Sequence, residues 1–146
     1  MKYIYFTILS LICVFLNQVY GQSFEDKNQI ISECISFQFL TEIVLKKAPD
    51  NFNKYYVLNH GIDFSGSKNI NVKGKQVSFI EKSQTNTYTP YFLFHTINVE
   101  ENKAFARYYF IFIEGNIEKI IPVTINFERN GSFWKVISYE LKKKEK

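Results

Sequence analysis

The residues able to do chemistry are few, and they are scattered. His60 and His95 are the only histidines and Asp26, Asp50 and Asp63 the only aspartates of the 146-residue chain. His60-Gly61-Ile62-Asp63 sets an imidazole and a carboxylate on one loop, a pairing that suits zinc, but no third ligand stands at a diagnostic spacing. The expectation is therefore no metal site and no cofactor, with His60 in a loop and His95 in a strand. Cys34 falls on the apolar stripe of a helix, where a free cysteine packs as a small hydrophobe rather than acting as a nucleophile. Proton abstraction beside a carbonyl needs a carboxylate base over a dry pocket, with donors aimed at the developing oxyanion. The three aspartates lie at a helix start, beside Pro49 and in a loop, so no catalytic set is assembled.

Arg107 is the most informative charged residue. It stands mid-strand among Phe105, Tyr109, Ile111 and Ile113. A cation in such a run needs a carboxylate, an aromatic face or an anionic ligand. Cross-strand pairing with Glu118, Glu128 or Glu140, or packing on a Tyr ring, would supply the first two. The candidate binding residues are accordingly His95, Arg107, Tyr91, Tyr108 and Tyr109. Tyr91, Phe92, Phe94, Tyr108 and Phe110 could line a pocket, although aromatic residues at strand period usually form core.

Elements that would position these residues are legible from periodicity. Ser23-Phe24-Glu25-Asp26 has the form of a capping box, and Ile30, Cys34, Phe37, Thr41 and Val44 recur at spacings of three and four. One long helix is predicted from about Phe24 to Lys47, ended by Pro49. Tyr55–Leu58 and Gln76–Ile80 read as short strands. Tyr91–Val99, Lys103–Ile113, Lys119–Glu128 and Phe133–Leu141 read as long strands joined by short links, which predicts an antiparallel meander. Lys103–Ile113 is apolar on both faces, as expected of a central strand. Asn130-Gly131 marks a hairpin. A two-residue Asn-Gly turn would oppose Phe127 to Trp134. A three-residue Arg-Asn-Gly turn would instead bring Phe133, Ile137 and Tyr139 to the apolar face, and the sequence leaves both open.

The N-terminus has the pattern of a signal peptide. Lys2 precedes the apolar run Tyr3–Leu16, and Val19-Tyr20-Gly21 offers a cleavage site before Gln22. The run is shorter than the roughly 20 apolar residues of a membrane-spanning helix. The expected organisation is a cleaved segment 1–21 and a single α+β domain over 22–146, secreted or periplasmic, with no membrane contact after cleavage. One cysteine remains in the mature chain, so no intrachain disulfide can form. A formal net charge of +4, concentrated in the tail Lys142-Lys143-Lys144-Glu145-Lys146, gives no reason to expect nucleic acid as a partner.

Ala104-Phe105-Ala106-Arg107-Tyr108, Val123-Thr124-Ile125-Asn126-Phe127 and Asn130-Gly131-Ser132-Phe133-Trp134-Lys135-Val136-Ile137, following a long helix, resemble the nuclear-transport-factor-2-like group of cystatin-like folds, which includes ketosteroid isomerase relatives. The resemblance covers the C-terminal strands well and the helix loosely. It implies one helix packed on a curved antiparallel sheet, a fold shared by many unrelated activities. Inhibitory cystatins carry a Gln-x-Val-x-Gly loop that Gln76-Val77-Ser78 does not reproduce. Three functional readings follow. The first is a small exported binding module for a small apolar or anionic ligand, or for a protein partner. The second is an isomerase- or hydrolase-type enzyme using His95 or His60 in a sheet pocket. The third is a homodimeric structural or interaction protein.

Overall fold

In a computed structural model of the chain, residues 24–47, 53–67, 69–87 and 90–142 are described. Residues 1–21, expected from sequence to be a signal peptide, Pro49, Asp50 and the last four residues of the basic tail lie outside them.

The helical segment is two helices, α1 over residues 24–36 and α2 over Gln38–Lys47, separated at Phe37. The sequence predicts one continuous helix, and the break has a local chemical cause. The carbonyls at the end of α1 are taken by side chains. Ser36 Oγ donates to the Glu33 carbonyl at 3.3 Å, the Tyr108 hydroxyl to that of Cys34 at 3.0 Å, and Lys73 Nζ to that of Ser36 at 3.3 Å. Carbonyls satisfied this way need no following turn of helix. The helix is interrupted there, and the Phe37 ring meets Tyr139 edge-on at 4.7 Å.

Among the described residues seven strands follow: β1 (Lys54–Leu58), β2 (Asn71–Val72), β3 (Lys75–Ile80), β4 (Tyr91–Val99), β5 (Lys103–Glu114), β6 (Ile117–Asn130) and β7 (Phe133–Leu141). They form one sheet in the order β2-β3-β1-β4-β5-β6-β7. The α+β class holds, and β4 to β7 pair antiparallel in sequence order. The sheet as a whole corrects the expected four-strand antiparallel architecture. It is longer and mixed, because β1 lies parallel to both β3 and β4. The connection between β1 and β3 is long enough to bring the chain back to the same end of the sheet, which a tight turn cannot do.

Alternation along β5 and β6 sorts the two faces. Ala104, Ala106, Tyr108, Phe110 and Phe112, with Val123, Ile125 and Phe127, join Ile30, Ile31, Cys34, Ile35 and Leu40 of the helices in the main core. The opposite face carries a smaller cluster, Leu58, Ile80, Tyr91 and Ile111, flanked by Leu93, Tyr109 and Ile120. Phe24 closes over the loop after β1, where a Cβ on Gly66 would meet its ring at 2.3 Å.

The hairpin turn is neither of the two alternatives. Asn130 pairs with Phe133, so the loop is Gly131-Ser132, with Gly131 at φ +64°. Glycine with positive φ at the first loop position is the type II′ arrangement. Trp134 then opposes Arg129, and Val136 opposes Phe127. A bulge at Ile137 shifts the phase, so Ser138 opposes Asn126 and Tyr139 opposes Ile125. Trp134, Val136 and Leu141 therefore all reach the main core.

One polar cluster ties the helix to this hairpin. The Asp26 carboxylate accepts from both terminal nitrogens of Arg129, at 3.1 and 2.7 Å, and from Trp134 Nε1 at 3.0 Å. The guanidinium lies over the Trp134 ring at 4.3 Å, and its Nε donates to the Glu101 carbonyl at 2.7 Å. Four elements meet there: α1, the β4–β5 turn, β6 and β7.

Burial pushes the Cys34 thiol well above its ordinary value of 9.0, with Glu33 adding to the effect. Burial likewise pushes the Tyr108 phenol well above 10.0, with a further push from Cys34. A raised folded-state value means that the stability owed to the neutral form is complete below the unfolded value and is lost as pH rises through the folded one. Unfolding free energy should hence begin to fall near pH 9, by up to about 1.4 kcal/mol per pH unit for each group. Cys34→Ala should move the onset toward about pH 10. Urea melts between neutral pH and about pH 11 check this; an onset unchanged by the substitution would remove Cys34 from the account.

Candidate binding groove on the outer face

The outer face of β4 to β7 is open beside the smaller cluster, and the register builds a row across it. Thr96 pairs with Arg107, Arg107 with Thr124, and Thr124 with Glu140. Thr96 joins this row because β4 carries a bulge between Phe94 and Thr96, which inserts His95 as an extra residue. His95 is exposed and packs edge-on against Tyr109, with ring centroids 4.3 Å apart. Together with Pro122 and Lys142 these residues line a depression of about 490 Å³.

Of the five residues singled out from sequence, three bring side chains to this groove: His95, Arg107 and Tyr109. Tyr108 contributes only from its backbone side, because its ring lies in the main core and its hydroxyl is held by the Cys34 carbonyl. Tyr91 is buried in the smaller cluster beside Ile111. Phe92, Phe94 and Phe110 belong to the main core.

Arg107 has none of the carboxylate partners proposed for it. Among the described residues its one close partner is the Phe105 ring, 5.4 Å from Cζ. Glu140 is instead near Lys142, at 3.8 Å, and both are largely exposed. Two cations thus face one carboxylate, so the groove keeps one positive charge beside an aromatic wall. Water satisfies the exposed guanidinium, and an anion can take the place of that water.

Thr96, Pro122, Thr124 and Lys142 are not among the residues singled out from sequence, and Glu140 is expected there only as an ion-pair partner. Thr96, Glu140 of β7 and Lys142 just after it reach this face through the bulges at His95 and Ile137, which sequence periodicity does not reveal, whereas Pro122 and Thr124 follow from the regular β5–β6 register.

The loop pair His60 and Asp63 gains no third ligand among the described residues. His60 is exposed, and the Asp63 carboxylate accepts the Ser65 N–H at 2.8 Å in an Asx turn. That hydrogen bond holds the Asp63 carboxyl below its usual range, with a smaller contribution from Lys27. Lys27 in turn donates to the Asp63 carbonyl and lies over the Phe64 ring. Among the described residues no three His, Cys, Asp or Glu side chains converge on one point. No helix of the described residues is long and apolar enough to cross a membrane.

No protein-family model, curated protein or solved structure matches this chain.

Proposed function

We propose that this chain is an exported binding module that holds a small aromatic or apolar anion on the outer face of its sheet. The observation that carries the reading is the meeting at one groove of His95, Tyr109 and Arg107, whose guanidinium has no carboxylate partner among the described residues, next to a row of threonine hydroxyls. A flat ring can lie against Tyr109 and His95 while its carboxylate meets the Arg107 fork, the geometry in which guanidinium binds carboxylate with two parallel hydrogen bonds. Thr96 and Thr124 flank Arg107 on either side and supply further donors. The export signal in residues 1–21 and the resemblance to a fold group with many binding members agree with such a role.

Benzoate serves as the probe, with benzyl alcohol as its neutral counterpart and inorganic phosphate as an anion without a ring. In an amide NMR titration, benzoate at up to about 10 mM should move the signals of Thr96, Arg107 and Thr124 in a saturable way. Benzyl alcohol should not. Arg107→Gln should weaken benzoate binding by about tenfold, the loss of one charge-assisted contact. Phosphate binding as tightly as benzoate would remove the aromatic wall from the reading. The absence of saturable shifts with both anions would overturn it.

A further inference from the structure

We infer that β7 is a self-complementary edge, and that two copies of this chain join through it, β7 against β7 and antiparallel, into one continuous sheet. Among the described residues β7 ends the strand order and has a single strand neighbour, β6. Phe133, Ile137 and Tyr139 on it are exposed at 71%, 54% and 57%, a degree of apolar exposure unusual for an unpaired edge.

The backbone shows which residues offer hydrogen bonds outward. At the hairpin end, the Arg129 N–H turns away from β7 to the Asn102 carbonyl at 3.0 Å. Arg129 and its register partner Trp134 are therefore a non-hydrogen-bonded pair, and Trp134 presents its N–H and C=O to the free edge. At the other end, the Lys142 N–H turns inward to the Pro122 carbonyl at 3.1 Å, which leaves Leu141 facing outward. In a strand of unbroken alternation Trp134 and Leu141 would point opposite ways. The extra residue at Ile137 makes both point outward, together with Val136 and Tyr139.

Those four positions match themselves under a two-fold axis normal to the sheet. Trp134 meets Leu141 of the second copy and Val136 meets Tyr139, each as a hydrogen-bonded pair with side chains on the same face. Between them Lys135 meets Glu140, in the non-hydrogen-bonded setting where facing side chains approach most closely. The contact occurs twice, so each copy's lysine faces the other's glutamate. Shifting by one residue in either direction sets outward groups against inward ones and parts the charges. Lys135 and Glu140 are the residues that guard an edge in a monomer, yet here their opposite signs stand at symmetric distances from the centre of the strand.

The test is sedimentation equilibrium of the chain with Lys135→Glu, with Glu140→Lys and with both. Each single reversal sets like charges opposite one another at two points and should weaken the dimer by roughly tenfold. The double reversal should return the affinity to within about threefold of the parent. Both side chains are exposed, so folding is not at stake, and circular dichroism of each variant verifies this. Cross-linking fixes the register independently. Chains carrying Lys135→Cys mixed with chains carrying Glu140→Cys should form an intermolecular disulfide under mild oxidation, because the facing Cα atoms of such a pair lie within disulfide reach. Neither variant alone should do so. A chain that stays monomeric to about 1 mM would overturn the inference. So would a double reversal that fails to restore the dimer, or a Lys135→Cys chain that cross-links to itself as readily as to its counterpart. None of these outcomes depends on benzoate binding.

Discussion

Asp26→Ala should lower the unfolding free energy by about 3 kcal/mol, far more than a substitution in the first turn of a surface helix ordinarily does. The Asp26 and Arg129 side chains retain 11% and 21% of their exposure, so the pair is largely but not wholly removed from water. Losing the carboxylate leaves the Arg129 guanidinium without its counter-ion and Trp134 Nε1 without an acceptor. Breaking one side of a buried pair costs more than the pair itself contributes, because the remaining charge stays desolvated. Asp26→Asn keeps an acceptor for Trp134 and should cost about 1–2 kcal/mol. Arg129→Ala combined with Asp26→Ala should cost less than the two single losses together. Denaturant midpoints of the parent and the four variants measure this. Additive losses would mean that the cluster does not act as a unit, and a loss under about 0.5 kcal/mol for Asp26→Ala would reduce it to a surface contact.

This cluster also explains why the hairpin was only partly legible. Asn130-Gly131 announced a turn correctly, since few other dipeptides tolerate positive φ. The preference of that dipeptide for the loop centre was overridden by one residue. Had Asn130 and Gly131 both been loop residues, Trp134 would have faced Phe127. With Gly131 and Ser132 in the loop, Trp134 faces Arg129 and both reach Asp26, more than a hundred residues away in sequence. Local propensity favours one register by a few tenths of a kcal/mol, whereas a three-way charged contact decides between registers with more. The choice between Trp134 and Tyr139 as core-facing residues was a false one, because the bulge at Ile137 lets both share the helix side.

The groove was legible in three of its lining residues, His95, Arg107 and Tyr109, and not in its assembly. Arg107 was marked by chemistry alone, as a charge in an apolar strand. That His95 and Tyr109 would join it follows from the β4–β5 register, which the sequence does not specify. Strict alternation would place Thr96 on the face opposite His95. The bulge at His95 places Thr96 beside Arg107 instead. Tyr108, next to Arg107 in sequence, illustrates the reverse. Its residue type suggested a ligand contact, yet strand alternation turns its ring into the core.

Replacing that ring tests what breaks the helix. Tyr108→Ala should destabilise the fold by about 4 kcal/mol, the cost of a cavity left by a fully buried aromatic side chain. Tyr108→Phe keeps the ring and removes only the hydroxyl. It should cost about 1–2 kcal/mol, because the Cys34 carbonyl then sits in the core without its 3.0 Å donor. The two substitutions differ in kind as well as in size. With the Cys34 carbonyl unpartnered, the amide of Gln38 is the natural intrahelical donor to it, four residues on. Extending α1 through Phe37 would satisfy the carbonyl but would move the Phe37 ring off Tyr139. The hydroxyl therefore holds the break between α1 and α2. Amide exchange at Phe37 and Gln38 reads this directly. Tyr108→Phe should change protection at those two positions while the β5 and β6 amides stay as they were. Loss spread evenly over the whole sheet would instead mean that the hydroxyl contributes to global stability and leaves the break at Phe37 to other causes.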